Sequence, residues 1–213
     1  MFELKVRKHY GSAGAVLLLL VFLGELTFSI RQQSLSWDEG DHIFAGYMSR
    51  KKVDFGVNPE HPPLVRALAS ISLVPMHLRV PDPKGLATFM GEAYFDERDL
   101  IFGNGAEAQA DRIIFHARMA VATLSILLGL LVFLAALEMF GEGAALFALA
   151  LAAFEPNIVA HGAYVTTDMG ISCLMFASIY ALHRYVKAPS VGKLIVLGLV
   201  SGLALASKHS SGI

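Results

Sequence analysis

The chain has 213 residues, 55% of them hydrophobic and 16% charged, with a formal net charge of −1. Soluble domains carry about 25% charged residues, so this chain has too few ionic side chains to coat a globular surface and reads as a membrane protein. A near-neutral balance leaves no basic footprint for nucleic acid, and a single cysteine, Cys173, excludes both an intramolecular disulfide and a cysteine-based metal centre.

The first segment, Met1–Tyr10, is basic through Lys5, Arg7 and Lys8, and residues 11–30 are apolar. A secretory signal would have an apolar core of about 7–15 residues and a small-residue cleavage site. Here the run is about 20 residues, long enough to span a bilayer, and it ends in Phe28-Ser29-Ile30-Arg31. It is read as an uncleaved anchor helix. Glu25 within it is costly in lipid and is expected to face another helix.

A polar loop follows over 31–112. It opens with Trp37-Asp38-Glu39-Gly40-Asp41-His42, the start of a helical pattern in which Ile43, Phe44, Tyr47 and Met48 form one stripe and Asp38, Asp41, His42 and Ser49 the other. That pattern predicts an interfacial helix with its apolar side in the headgroup boundary. Its acidic start suits the helix dipole. Asp38 is either its N-cap or a group with chemistry of its own. The next block, Asn58-Pro59-Glu60-His61-Pro62-Pro63-Leu64, is stiffened by proline and predicts a helix starting after it, with Leu64, Leu68, Ile71 and Pro75 as the buried stripe. Glu60 and His61 precede that helix, where a carboxylate and an imidazole suit a metal or phosphate site, although a stiff turn alone needs the same prolines. Hard oxygen and imidazole ligands of this kind suit a divalent cation.

Four further spans are expected at about 113–140, 143–160, 169–186 and 192–207, the third and fifth of the five being short. Pro156 in Glu155-Pro156-Asn157 ends or kinks the third span. Thr166-Thr167-Asp168 precedes the fourth, where threonine or aspartate makes a good cap. Near-interface carboxylates are also frequent functional groups, so Asp168 has both readings. Lys208 follows the fifth span and could be a snorkelling anchor.

Short-loop positive charge orients the chain. Lys5, Arg7 and Lys8 hold the N-terminus in the cytoplasm, and Arg184, Lys187 and Lys193 mark a second cytoplasmic loop. Counting crossings then delivers Asp38, Glu60, Asp168 and Lys208 to one extracytoplasmic face. The chain stops at Ile213, just after the fifth exit, so residues 1–213 are expected to be the N-terminal part of one longer membrane domain.

In this order and spacing, Asp38-Glu39, Glu60-His61-Pro62-Pro63-Leu64, Arg118, Thr167-Asp168 and Lys208 resemble the GT-C glycosyltransferases that use polyprenyl-phosphate sugars. The resemblance is to the protein O-mannosyltransferase and aminoarabinose (lipid A) transferase superfamily, and it runs over the whole chain. It implies an all-α, multi-pass transmembrane bundle containing the first five helices of that fold, with a long extracytoplasmic loop. Its implied activity is transfer of a mannose-like or other sugar from a polyprenyl-phosphate carrier to a hydroxyl of a lipid or protein acceptor, with inversion at the anomeric carbon part of that expectation. By the resemblance, Asp38 is the catalytic base and Asp168 sits beside acceptor or donor. Glu39, His61 and Lys208 contact donor phosphate or substrate, and Glu60 is the metal ligand if a divalent cation is bound. His61 is similar to the mannosyltransferase branch, whereas Asp41 departs from the arginine those families tend to carry. The implied setting is the bacterial inner membrane or its equivalent, among membrane lipids, in protein or cell-envelope glycosylation, with this stretch alone inactive. From the residues alone two rivals stand beside this: a transporter with intramembrane acids at Glu25 and Asp168, and a non-catalytic membrane scaffold. A transporter would place its polar groups near the midplane, not in an external loop.

Overall fold

The structure, a computed structural model, describes residues 2–53, 55–80, 98–105 and 107–208. Residues 81–97 of the expected loop lie outside the described residues. The described chain is all-α, with no strand among the described residues. Its helices are α1 (Phe2–Gln32), α2 (Glu39–Lys52), α3 (Leu64–Ile71), α4 (Glu107–Phe140), α5 (Glu142–Ala153), α6 (Pro156–Gly162), α7 (Thr167–Lys187) and α8 (Val191–Leu205). A 3-10 turn at Val74–Met76 and a short helical piece over 98–102 complete the loop region.

Two segments, Gly11–Gln32 and Gln109–Phe140, are long and apolar enough to cross a membrane. The stretch expected as a third span at 143–160 is two helices, α5 and α6, bent by 59° at their junction. The sequence explains the break. Pro156 has no N–H for a continuing helix and sits at the first position of α6. Glu155 caps that new start, accepting from the Ile158 N–H at 2.8 Å. The pair makes either a broken span or a re-entrant loop. Apolar α8 is shorter, at 15 residues.

Long α4 is the hub, packing against α1, α3, α5, α6 and α7, while α8 packs on α7. Its interior contacts come from small and branched residues, Ala117, Val121, Ala122 and Leu128 among them. Leu17 and Leu20 on α1, Phe147 and Leu151 on α5, and Ile195 and Leu199 on α8 remain exposed, apolar exterior surface suited to lipid. At one end of the bundle Glu138 of α4 meets α7, accepting from Tyr180 Oη at 2.8 Å and facing Arg184 at 3.4 Å. The α4–α5 turn lies at this end too. Its Gly141 has φ 87, a left-handed backbone that glycine adopts without a Cβ clash, and Glu142 packs tightly against Gly11 of α1.

The loop helices sit at the other end, and two expectations change there. The apolar stripe of α2 faces protein: Ile43, Phe44, Tyr47 and Met48 join Val65, Ala69, Leu73, Leu100, Ile113, Ala117 and Val121 in one cluster. Part of its polar side is covered as well: His42 and Ser49 are buried, as is Glu39, while Asp38 stays exposed. The stripe was expected in a headgroup boundary because periodicity reports an apolar face without identifying what covers it. In α3 the buried residues are Val65, Arg66, Ala69 and Ser70, one position off the expected stripe, and Ile71 is exposed. The cause is Gly46 of α2, which lets the Arg66 carbonyl approach so closely that a Cβ there would collide with it.

Candidate functional site

Arg118 is 1% exposed on an otherwise apolar stretch of α4, and a buried guanidinium needs an acceptor for each of its five N–H groups. It has them. Nε donates to Glu39 Oε1 at 2.7 Å, and Nη2 donates to Glu39 Oε2 at 2.6 Å and to the Ser34 carbonyl at 2.8 Å. Nη1 donates to the carbonyls of Ile30 at 3.0 Å and Gln33 at 2.7 Å. These carbonyls are left over where α1 ends, so the cation also answers the helix C-terminus. The Tyr164 ring covers its face at 5.0 Å.

Glu39 completes the clasp. It is fully buried, and beyond Arg118 it accepts from the Val165 N–H at 3.0 Å and the Ser36 N–H at 3.2 Å. Both oxygens are engaged by protein, so Glu39 ties together the α1–α2 turn, α4 and the α6–α7 junction and turns no oxygen toward a ligand. The family resemblance implied that Glu39 contacts donor phosphate or substrate. The signal for the clasp was there in Arg118, since an arginine among apolar neighbours requires a buried partner.

Asp38, one residue before, is different. It occupies the N-cap position of α2 in a helical conformation, and its side chain makes no capping hydrogen bond. Its carboxylate is exposed and close enough to act electrostatically on both Asp41 and His42.

His42 and His61 meet with ring centroids 4.9 Å apart. Burial, then the neighbouring His61, pushes the His42 imidazole down to about 4, so it is neutral near pH 7. Asn58, held at φ 51, donates to Asp41. Arg66 donates through Nη1 to the carbonyls of Val57 at 2.8 Å and Asn58 at 2.6 Å. Burial raises the Asp41 pKa above the ordinary carboxylate value, opposed by Asn58 and Arg66. The glutamate before His61, Glu60, is exposed. Among the described residues no three His, Cys, Asp or Glu side chains converge closely enough to share a metal ion. Glu60 accordingly belongs to no such three-residue group among the described residues.

Asp168 lies in the first turn of α7, two residues past its N-cap Thr166, so the cap reading does not account for its carboxylate. Oδ1 accepts from Lys208 Nζ at 2.6 Å, and Oδ2 stands 3.8 Å from His161 Nδ1. The lysine side chain is 33% exposed and the aspartate 43%, so both keep solvent-accessible surface. The Leu64 N–H donates to the Ala206 carbonyl at 3.2 Å, stapling the proline-rich block to the end of α8 beside Lys208. Gly170 allows Val65 to press against the start of α7. One end of the bundle thus assembles an exposed carboxylate, a histidine pair and an aspartate–lysine pair.

Residues 110–213 match the family model described as dolichyl-phosphate-mannose-protein mannosyltransferase. The matched stretch contains Arg118, Asp168 and Lys208, while Asp38, Glu39, Glu60 and His61 precede it. The match is consistent with the GT-C superfamily and, at that level, points to a membrane glycosyltransferase. No curated protein and no solved structure matches the chain.

Proposed function

We propose that this chain carries the catalytic end of a glycosyltransferase that moves a sugar from a polyprenyl-phosphate carrier to an acceptor hydroxyl on the extracytoplasmic face. The supporting observation is the Asp168–Lys208 pair at 2.6 Å, placed at the same bundle end as the uncapped, exposed Asp38. In this reading Asp38 takes the proton of the acceptor hydroxyl as its oxygen attacks the anomeric carbon. The bond from that carbon to the carrier phosphate breaks, and its electron pair stays on the phosphate. Lys208 offers its ammonium to the departing phosphate, and Asp168 holds that ammonium in place. A single displacement of this kind inverts the anomeric centre. His61, beside neutral His42, lines the sugar side, and Glu60 stands at the rim. Glu39 positions Asp38 through its clasp with Arg118. A mannose donor and a protein acceptor follow the family's description.

The test is Asp38→Asn in the full-length enzyme, assayed in membranes with a polyprenyl-phosphate sugar at matched protein levels. Loss of a general base lowers transfer by about 10²–10⁴-fold. Expression should be unchanged, because the side chain makes no cap for the substitution to break. Near-wild-type transfer by Asp38→Asn would remove Asp38 from the mechanism.

A further inference from the structure

A cavity of about 520 Å³ opens where the last turn of α1 and the first turns of α4 meet the short helical piece over 98–102. That volume is in the range that accommodates a small ligand. Its apolar walls are Ile30, Leu35, Phe102, Ile114 and Phe115. Its charged lining is Arg31, Arg112, Asp111 and Arg118. Arg118 is fully engaged with Glu39 and three carbonyls, so it adds no net charge. Arg31 and Arg112 are exposed, and the Arg31 guanidinium lies 5.2 Å from the Phe115 ring centroid. Two exposed guanidiniums thus face the cavity against one carboxylate. The site also falls at one end of both segments able to cross the membrane, Gly11–Gln32 and Gln109–Phe140.

We propose that this groove binds the headgroup of an anionic phospholipid from the surrounding leaflet. Arginine is suited to a phosphate diester through its planar fork of donors. The apolar side chains receive the first carbons of the acyl chains, and basic residues at a membrane boundary favour anionic over zwitterionic lipid. The carrier of the transfer reaction is not the occupant. None of Asp38, His61, Asp168 and Lys208 lines the groove, and the saturated Arg118 separates it from Glu39. The lipid would hold the exit of α1 against α4, next to the turn that presents Asp38.

The experiment is native mass spectrometry of the full-length protein in detergent, titrated with phosphatidylglycerol, phosphatidylcholine, polyprenyl phosphate or inorganic phosphate. The wild type should retain phosphatidylglycerol in preference to phosphatidylcholine. Arg31→Gln with Arg112→Gln should weaken that retention on the order of tenfold, and Asp111→Asn should strengthen it by removing the opposing charge. Should the arginine double variant fail to fold, Asp111→Asn decides alone. Equal retention of the two phospholipids, or no tightening in Asp111→Asn, overturns the proposal. So does displacement of phosphatidylglycerol by polyprenyl phosphate, or by inorganic phosphate alone.

Discussion

Arg118 donates every N–H it has to protein acceptors, and its ion-pair partner Glu39 has no exposed surface. Removing one member of such a pair strands the other charge out of water. Arg118→Met should therefore destabilise the fold by about 3–5 kcal/mol. Arg118→Lys should recover only part of this, because three ammonium donors cannot reach carbonyls and carboxylate at once. Thermal unfolding in detergent measures both, and a stable Arg118→Met protein would remove the clasp from the account. His42 supplies a pH test at the same scale. Its folded pKa, about 4, lies below the unfolded value of 6.5. Below pH 6.5 the unfolded chain binds a proton that the folded one refuses, so stability is full above 6.5 and declines as pH falls toward 4. The total decline is about 3 kcal/mol at most. His42→Gln should flatten the thermal-unfolding profile between pH 7 and 4 relative to the wild type.

Among the elements, the contact between α2 and α3 controls the loop region, and Gly46 controls that contact. A methyl group there meets the Arg66 carbonyl, a backbone atom that cannot swing aside. Gly46→Ala should cost about 1–3 kcal/mol through overpacking. It should also push His61 away from His42, which double labelling on α2 and α3 would report as an increased separation. An unchanged separation and stability would mean that α3 is held by its Leu64–Ala206 staple and not by packing on α2.

Across the whole molecule, the two ends of the bundle have opposite character. One collects the Glu138–Tyr180–Arg184 contacts and the Gly11–Glu142 approach. The other collects Glu39, Arg118, Asp168, Lys208 and the histidine pair. The charge pattern of the short loops predicts that the first end faces the cytoplasm. Cysteine at Lys52 should accordingly react with an impermeant thiol reagent from the extracytoplasmic side, and cysteine at Ser190 should react only after permeabilisation. Both positions are exposed, and native Cys173 is buried, so background is low. Labelling of position 190 from outside would reverse the assigned orientation.

Composition and apolar run length were enough to indicate a membrane chain with helical spans, because a shortage of charge and long apolar runs have few other solutions; the all-α bundle as such came from the resemblance. Counting crossings placed Asp38, Glu60, Asp168 and Lys208 on one expected face, while the roles of Glu39 and His61 rested on the family resemblance. Pro156 marked the place where the 143–160 stretch breaks. What the α2 stripe packs against could not be read this way, because an apolar face looks the same under lipid as under α3 and α4. Nor could the separate positions of neighbours Asp38 and Glu39, one exposed and one buried, since one step of helix rotates a side chain by about 100° and only packing decides which direction is inward. The register of α3, set by the close approach at Gly46, and the pairings Arg118–Glu39 and Lys208–Asp168 join residues 79 and 40 positions apart. Contacts across such separations depend on the helices having come together, and only the tertiary structure decides them.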